Sequence, residues 1–366
     1  MAIKSVNDHE TDVAKYIQQL LKKHDIEAKI LPISETRADL VAEIGSGHPI
    51  LGISGHMDVV PAGNEEEWTS DPFQLTLRDG NLYGRGAADM KSGLAGLLIA
   101  MIEIKENQSL QQGTIRLMAT MGEEVGELGS RKFTDEGYMD DVDALFIGEP
   151  TSYEIAYAHK GSIDIRLDSF GKAAHSSMPE QGYNAIDPLM NLLTKANNVF
   201  RETDKKSDLL GELSFNTTIF NGGNQVNSIP EKATAEINIR TVPEFNNDVV
   251  EQQMTELVKE QNDQGADIKM DIYMSQPSIE TSSKNSLVKI AQKVATPYSD
   301  EPVKAVAITP VTDASNMVRT KGFDFPLAIF GPGSDSVHQV DEYVSKQMFL
   351  DFSHFYVELF TQYLNN

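Results

Sequence analysis

The sequence contains no cysteine and a single tryptophan among its 366 residues. The absence of cysteine excludes disulfide bonds, thiolate metal ligands and a cysteine nucleophile. No apolar run approaches the ~20 residues that a transmembrane helix needs. The opening stretch, MAIKSVNDHE, lacks the apolar segment of a signal peptide. The sequence therefore predicts a cytoplasmic protein without a membrane partner, in which any metal must be held by His, Asp and Glu.

Positive charge is also scarce: 31 Lys and Arg stand against 55 Asp and Glu, a formal net charge of −24. Proteins bind nucleic acid largely through contacts of Lys and Arg with phosphate, so this balance argues against a nucleic-acid partner. The plainer meaning of the acidity is solubility. An anionic substrate would need a local cation to overcome the overall field.

The length suggests two domains, and an apolar content of 40% supports a buried core. The first part of the chain alternates strand-like and helical patterns, which is typical of an α/β sheet with its ligands beyond the carboxyl ends of the strands. Helices are expected at 11–24 and 92–104, and strands at 28–32, 39–44, 50–54 and 144–147.

The pattern changes between residues 161 and 275. Strand and helix signals there follow the order β-α-β-β-α-β, a split-βαβ arrangement that is typical of a small α+β domain. The chain from 276 onward returns to mixed helix and strand. We therefore expect an α/β catalytic domain with a mixed sheet, residues 1–160 and 276–366, interrupted by a smaller α+β domain at 161–275.

Histidines and carboxylates recur near the predicted strand ends. His56 and Asp58 follow a buried strand, where a metal ligand with its orienting carboxylate competes with an ordinary core histidine. Asp89 follows a Gly-rich turn at a helix start, where Asp commonly caps the helix. No Gly-Lys-Ser/Thr follows that turn, which excludes a phosphate-binding P-loop. Glu149 and His338 are unremarkable when each is considered alone.

Together, these histidines and carboxylates indicate a metal site more specifically than any one of them does. Glu123 and Glu124 are adjacent in MGEEVGELGS, and two neighbouring carboxylates repel unless a positive charge lies between them. Nitrogen and oxygen ligands without sulfur suit zinc, with cobalt or manganese as alternatives. Two such ions ~3.5–4 Å apart form a common hydrolytic device. Each ion could be bound by one histidine and one carboxylate, with a further carboxylate shared between the two ions. The candidates are His56, Asp89, Glu123 or Glu124, Glu149 and His338.

The motifs, taken in order, resemble a known family over nearly the whole chain. They are GHMDVVP, WTSDPF, LYGRGAADMKSG, MGEEVGELGS, GEPT, GKAAHSSMPEQGYNAI and GPGSDSVHQVDE. They resemble the acetylornithine deacetylase/succinyl-diaminopimelate desuccinylase group of di-zinc metallohydrolases, which also includes aminoacylases and carboxypeptidases. The resemblance implies a di-zinc catalytic domain that is split in sequence by a lid domain, and the segment 161–275 would be this lid.

The resemblance also implies a ligand set for two zinc ions in each subunit. His56 and Glu149 would bind one ion, Glu124 and His338 would bind the other, and Asp89 would bridge the two.

Two further roles follow from the same resemblance. Glu123 would be the general base that takes a proton from the bridging water, and Asp58 would orient His56. In this family the peptide bond after the bridging aspartate is often cis, so a cis bond is expected between Asp89 and Met90.

The lid segment contains further candidates. By itself, His175 in GKAAHSS is an ordinary surface or core histidine, but the matching family residue reaches the partner subunit's active site and stabilises the oxyanion. Asn227 and Arg240 match positions that hold the carboxylate end of the substrate. For Arg240, a surface charge at a strand end is the competing interpretation. The resemblance thus implies a homodimer formed through the lid.

The segment AITPVTDASNMV, residues 307–318, departs from the family pattern. Desuccinylases typically have two glycines where this chain has Pro310 and Val311, whereas Thr312 and Asp313 are kept. The segment is closer to desuccinylases than to acetylornithine deacetylases, and Thr312 joins the expected substrate-binding residues. Family members also usually have an extra helix before the SVNDHE segment, which implies that this sequence begins late.

The sequence therefore predicts a metallohydrolase that cleaves the amide bond of a small N-acyl amino acid. The favoured substrate is N-succinyl-LL-2,6-diaminopimelate, giving succinate and LL-2,6-diaminopimelate for lysine and cell-wall synthesis. The alternatives are deacetylation of N-acetylornithine, deacylation of another N-acyl amino acid, and dipeptidase or carboxypeptidase activity. A non-catalytic metal-binding protein is a further alternative, although every expected ligand and the expected base are present.

Overall fold

The computed structural model describes residues 1–299 and 301–365, and the chain forms two compact units. The first unit comprises Met1–Tyr157, Glu280–Ala307 and Thr312–Asn366, and the second comprises Ala158–Ile279 and Ile308–Val311. The second unit is therefore inserted into the sequence of the first. The segment 161–275, which the sequence predicts to be a separate domain, lies within the second unit.

Strands and helices alternate through the first part of the first unit, as the sequence predicts. Their bounds are α1 (Thr11–Lys22), β1 (Ala28–Pro32), β2 (Ala38–Ser46), β3 (Ile50–His56), β4 (Thr76–Arg78), β5 (Asn81–Tyr83), α2 (Lys91–Glu106), β6 (Gly113–Thr120), α3 (Leu128–Asp135), β7 (Ala144–Pro150) and β8 (Glu154–His159). Helix α1 is amphipathic: Val13, Ile17 and Leu21 share one face and are buried.

The second unit has the predicted β-α-β-β-α-β order in its long elements. Its elements are β9 (Gly161–Phe170), β10 (Ala174–His175), α4 (Ile186–Arg201), β11 (Lys206–Ser207), β12 (Gly211–Glu212), β13 (Ser214–Gly222), β14 (Ser228–Ile229), β15 (Lys232–Thr241), α5 (Asn247–Asp263) and β16 (Asp267–Gln276). The four long strands form an antiparallel sheet in the order β13-β15-β9-β16. Strand β13 is therefore an edge strand.

The last part of the chain completes the first unit. Its elements are β17 (Ile279–Glu280), α6 (Ser286–Ala295), β18 (Lys304–Ile308), α7 (Ala314–Met317), β19 (Leu327–Gly331), β20 (Tyr343–Ser345) and α8 (Lys346–Asn365). Helix α8 buries an aromatic face that includes Phe352 and Tyr356, and the Tyr356 hydroxyl donates to the carbonyl of Phe330 in β19. None of the helices in 1–299 and 301–365 is long and apolar enough to cross a membrane.

The sheet of the first unit places the ends of several strands at one edge. Its order is β1-β2-β6-β3-β7-β19, continued by β8 and β17, and β6, β3, β7 and β19 run parallel. Antiparallel pairs flank this parallel centre, so the predicted mixed sheet is confirmed. Because the carboxyl ends of parallel strands meet at the same edge, residues that follow them lie close together. His56 ends β3 opposite Thr120, the last residue of β6.

Helix α2 approaches strand β7 so closely that only glycine fits. A Cβ on Gly93 would collide with the carbonyl oxygen of Gly148. Helix α2 follows Asp89 directly, and Gly148 precedes Glu149. The close approach therefore also fixes the distance between two of the expected metal ligands.

We expect Gly93→Ala to destabilise the protein by about 1–3 kcal/mol, the usual cost of overpacking a filled interior. Denaturant unfolding of the metal-free protein measures this loss. Gly322→Ala is the matched control, because a Cβ on Gly322 would meet no atom within 4 Å. Equal stability of the two variants would contradict the close-approach argument.

Candidate metal centre

The two ring nitrogens of His56 face different groups: one faces a carboxylate and the other faces a main-chain oxygen. It is fully buried, and its Nε2 lies 3.0 Å from Asp89 Oδ1 and 3.8 Å from Glu149 Oε1. Its Nδ1 lies 3.0 Å from the carbonyl oxygen of Asp58. If Nδ1 carries the proton, this bond fixes the tautomer that leaves Nε2 free to bind a metal.

The Asp89 carboxylate lies between the two histidines. One oxygen faces His56, and the other, Oδ2, is 3.3 Å from His338 Nε2. The same His338 nitrogen is 3.0 Å from Glu124 Oε1. The Asp89–Met90 peptide bond is cis, as expected. The helix-cap interpretation of Asp89 is wrong, because α2 begins at Lys91 with Met90 as its N-cap.

Glu149 is a buried carboxylate with one oxygen that lacks a hydrogen-bond donor in the described part of the chain. It lies within β7 rather than beyond it and is only 6% exposed, unlike an ordinary glutamate at a strand end. Within the described ranges, its Oε1 has no hydrogen-bond partner. A buried carboxylate oxygen without a donor is costly unless a cation neutralises it.

Asp58 holds the loop that carries the glutamate pair. Its Oδ1 accepts from the main-chain N–H of Glu123 and its Oδ2 from that of Glu124, both at 3.2 Å. Its carboxylate is 3.6 Å from His56 Nδ1, beyond hydrogen-bond range, whereas its carbonyl oxygen is within range. The Asp58 side chain therefore anchors the two glutamates and also forms a longer ion pair with His56, whose Nδ1 makes its shorter contact with the Asp58 carbonyl oxygen.

Burial and like charge shift the pKa values of the acidic groups. Burial raises the pKa of Glu123 and that of Glu149 well above the usual range, and His56 opposes both shifts. The charge of Glu149 adds to the shift of Glu123, and the charge of Asp89 adds to that of Glu149. Burial also raises the pKa of Glu124, although His338 partly offsets this. Carboxylates with raised pKa values in a cleft are typical of functional sites.

The two histidines respond in the opposite sense. Hydrogen bonds to Asp89 and Glu124 raise the pKa of His338 to about 10. Burial opposes the charged ring of His56, but Glu149, Asp58 and Asp89 together raise its pKa well above the usual value. The surrounding carboxylates thus favour a positive charge at the position of each histidine ring.

This donor set fits divalent cations. Ligand atoms of His56, Asp89 and Glu124 lie within 4.8 Å of one another, and Glu149 and His338 extend the group on either side. Imidazole and carboxylate ligands without sulfur suit zinc, cobalt or manganese. A cation would balance the negative charge of these carboxylates.

The second unit contains three of the expected functional residues. His175 is exposed on β10, and its Nδ1 lies 2.8 Å from the Ser177 hydroxyl. Asn227 is exposed next to β14, and its carbonyl oxygen accepts from the N–H of Ser176. Arg240 is half-buried on β15 and makes no ion pair with any described residue.

Thr312 belongs to the first unit and is 4% exposed. Its hydroxyl accepts from the N–H of Ala314, so it shapes the start of α7. The neighbouring Asp313 accepts from the Thr120 hydroxyl at 2.6 Å, which ties this segment to the end of β6.

Three buried side chains beside the centre were not predicted from the sequence. Asp39 Oδ1 accepts from the N–H of Met121 at 2.9 Å, two residues before Glu123. Arg85 and Glu342 form an ion pair behind Asp89. The sequence offered one signal for the Arg85–Glu342 pair: the two residues have opposite charges and lie in two of the motifs that resemble the family. Asp39 lies in none of those motifs.

With this geometry in place, the comparisons with known proteins are decisive. Residues 52–363 match the family described as Peptidase family M20/M25/M40. The chain belongs to this family. A Staphylococcus epidermidis relative named "Probable succinyl-diaminopimelate desuccinylase" is 42% identical, over 99% of this chain and 95% of the relative. The predicted resemblance is confirmed, and this M20 protein is a metallohydrolase.

Solved M20 structures share its fold. The M20 family metallo-carboxypeptidase Sso-CP2 from Sulfolobus solfataricus has a TM-score of 0.84 at 18% identity, covering 99% of this chain and 97% of that chain. The YXEP protein from Bacillus subtilis, described as a dinuclear metal binding peptidase, has a TM-score of 0.71 at 18% identity and covers 99% of this chain and 94% of that chain. At these identities the likeness shows the fold alone.

Asp39 gives this M20 protein a testable pH dependence. Burial, with Asp313 and Glu10 nearby, raises the Asp39 pKa from 3.8 to about 7, against the bond from Met121 N–H and the charge of Lys132. The folded state therefore holds the proton more tightly than the unfolded state. The stability contributed by this group is full below about pH 4 and is lost as the pH rises to about 7.

We expect Asp39→Asn, relative to wild type, to gain stability between about pH 5 and pH 8, by on the order of a few kcal/mol. Urea unfolding of metal-free protein at both pH values measures the difference. Asp12→Asn, at an exposed position on α1, should show no such change. A stability difference between Asp39→Asn and wild type that is the same at both pH values would refute the raised pKa.

Proposed function

We propose that the protein hydrolyses N-succinyl-LL-2,6-diaminopimelate to succinate and LL-2,6-diaminopimelate. The observation that carries this proposal is the Asp89 carboxylate between two histidines, with the glutamate pair beside them. The substrate comes from the relative that is 42% identical over nearly the full length. A role in lysine and cell-wall synthesis would place the enzyme in the cytoplasm.

Five residues of the first unit are proposed to hold two zinc ions. His56 and Glu149 would bind one, His338 and Glu124 the other, and each Asp89 oxygen would face one of them. Cobalt or manganese would suit the same donors. When bound, such ions lower the pKa of water and polarise the scissile carbonyl.

Glu123 is proposed to move the proton. Burial and neighbouring carboxylates raise the pKa of Glu123, which suits a group that must both accept and release a proton. Its carboxylate takes a proton from the attacking water as the C–O bond forms. It then gives that proton to the amide nitrogen as the C–N bond breaks, so that a carboxylic acid and an amine form, and the acid's own proton then passes to the amine to give a carboxylate and an ammonium group. Asp58 keeps Glu123 in place through the Glu123 N–H.

Cationic and polar residues are proposed to select the substrate. N-succinyl-diaminopimelate carries several carboxylates, and the protein has a formal net charge of −24. Arg240 has no ion-pair partner among the residues described, so its guanidinium is available for a carboxylate. Asn227 in the second unit and Thr312 in the first are proposed as further substrate-binding residues.

The protein is proposed to act as a homodimer through the second unit. Strand β13 lies at the edge of its sheet, and Ile219 and Phe220 on it are 45% and 42% exposed. Met190 on α4 is 54% exposed and Val226 fully exposed. An unpaired edge with apolar side chains favours association with another copy. His175 would then stabilise the oxyanion in the partner's active site.

A hydrolysis panel tests the substrate and the base together. We expect wild-type enzyme, with zinc or cobalt, to cleave N-succinyl-diaminopimelate with a higher kcat/KM than N-acetylornithine, an N-acetyl amino acid or a dipeptide. Glu123→Gln should lose at least ~10²-fold in kcat, the typical worth of a positioned base, while its metal content stays at the wild-type level.

Each other outcome of the panel excludes part of the proposal. Faster cleavage of N-acetylornithine, an N-acetyl amino acid or a dipeptide would replace the proposed substrate. Wild-type activity in fully metallated Glu123→Gln would remove Glu123 as the base. Tight metal binding without hydrolysis of any substrate would favour a non-catalytic metal-binding protein.

Mixed dimers test the role of His175. A subunit with His175→Ala retains Glu123, and a subunit with Glu123→Gln retains His175, so one site of each mixed dimer would be complete. Random mixing should restore up to about a quarter of wild-type activity. Each variant alone should remain nearly inactive, and light scattering should give the mass of a dimer. Mixed dimers without recovered activity would show that His175 does not act across the interface.

A further inference from the structure

The Glu342 carboxylate holds the loop that leads to Asp89. It is fully buried, and its Oε2 accepts from Arg85 Nη1 at 2.6 Å and from the Gly86 N–H at 3.0 Å. Its Oε1 accepts from the N–H groups of Ala88 and Asp89, at 2.7 and 3.0 Å. One side chain thus makes four hydrogen bonds within the five residues before the cis bond.

Arg85 connects the same carboxylate to the second histidine. Its Nη1 is paired with Glu342, and its Nη2 donates to the carbonyl oxygen of His338 at 3.4 Å. The guanidinium is 2% exposed and lies 5.3 Å from the centre of the Trp68 ring. The main chain of Glu342 also accepts from the N–H of Gly84. The pair therefore contacts two loops, one carrying Asp89 and one carrying His338.

A general gain in stability is a weak explanation for this pair. Burying two charges is expensive, and apolar residues of similar volume often stabilise a core as well or better. The planar guanidinium of Arg85 and the two oxygens of Glu342 instead fix the orientation of the main-chain groups that they bind. Charge-assisted hydrogen bonds to such groups are strong and geometrically demanding. The bound main-chain groups belong to the two loops that carry Asp89 and His338, and Asp89 Oδ2 forms an ion pair with His338 Nε2.

We propose that Glu342 and Arg85 are positioning residues that set the separation of Asp89 and His338 for metal binding. Neither side chain is among the five proposed metal ligands. The inference rests on the metal centre of the proposed function but not on the identity of the substrate.

Hydrogen exchange in metal-free protein tests the geometry directly. Glu342→Gln keeps the size of the side chain but replaces one acceptor oxygen with an NH₂ group, which would face an N–H donor. We expect faster exchange at the amides of Gly86, Ala88 and Asp89, with circular dichroism unchanged. Asp341→Asn is the matched control, because the neighbouring Asp341 bonds Thr69 instead.

Metal affinity tests the consequence. Competition with a chromophoric zinc chelator, without substrate, should show that Glu342→Gln binds zinc ~10–100-fold more weakly, as is typical when a partner behind a metal ligand is lost. Asp341→Asn should bind as wild type does. If Glu342→Gln does not fold, Arg85→Lys provides the test, because lysine keeps the charge but lacks the fork that also reaches His338.

Unchanged exchange and unchanged zinc affinity in Glu342→Gln and in Arg85→Lys would overturn the inference while leaving the proposed function intact. Equal weakening by Asp341→Asn would also overturn it, because the effect would then be general. Failure of the proposed function has a different signature: a wild-type protein that binds zinc but does not cleave N-succinyl-diaminopimelate.

Discussion

The structure depends on one electrostatic constraint, which is the crowding of carboxylates in a buried cleft with too little positive charge. Asp89, Glu123, Glu124 and Glu149 converge where the solvent can screen them little, and the two histidines offset only part of their charge. Such an arrangement is stable only with a cation or with bound protons. The raised pKa values of these glutamates reflect the shortage of positive charge around them.

A second layer of acidic residues holds the first in place. Asp58 accepts from the N–H groups of Glu123 and Glu124, and Glu342 accepts from that of Asp89. In each case a buried carboxylate accepts hydrogen bonds from the main chain of a loop that carries a proposed ligand. This arrangement fixes the backbone while the ligand oxygens stay free for a metal. The close contact of Gly93 with Gly148 adds a steric constraint near Asp89 and Glu149.

The fold and most of the centre could be predicted because they follow from local patterns. Strand periodicity and the residues at strand ends singled out His56 and the glutamate pair as candidates, whereas their roles came from the resemblance to a known family. The role of Glu342 could not be predicted, because its partners lie more than 250 residues away in sequence. For Asp58 the sequence predicted a role in orienting His56, but not the bonds of its carboxylate to the N–H groups of Glu123 and Glu124. Asp89 shows the limit of local rules: its sequence context favours a helix cap, whereas the structure uses its carboxylate between two histidines.

The insertion of the second unit has a consequence for how the enzyme is made. His56, Asp89, Glu124 and Glu149 all precede the insertion, whereas β19 and His338 follow it. A chain emerging from the ribosome folds from its N-terminus, so four of the five proposed ligands are available before the last one has been synthesised. The nascent protein can assemble the half of the centre around His56 early. The half around His338 must wait until nearly the whole chain has been translated, so the complete centre forms only in the finished protein.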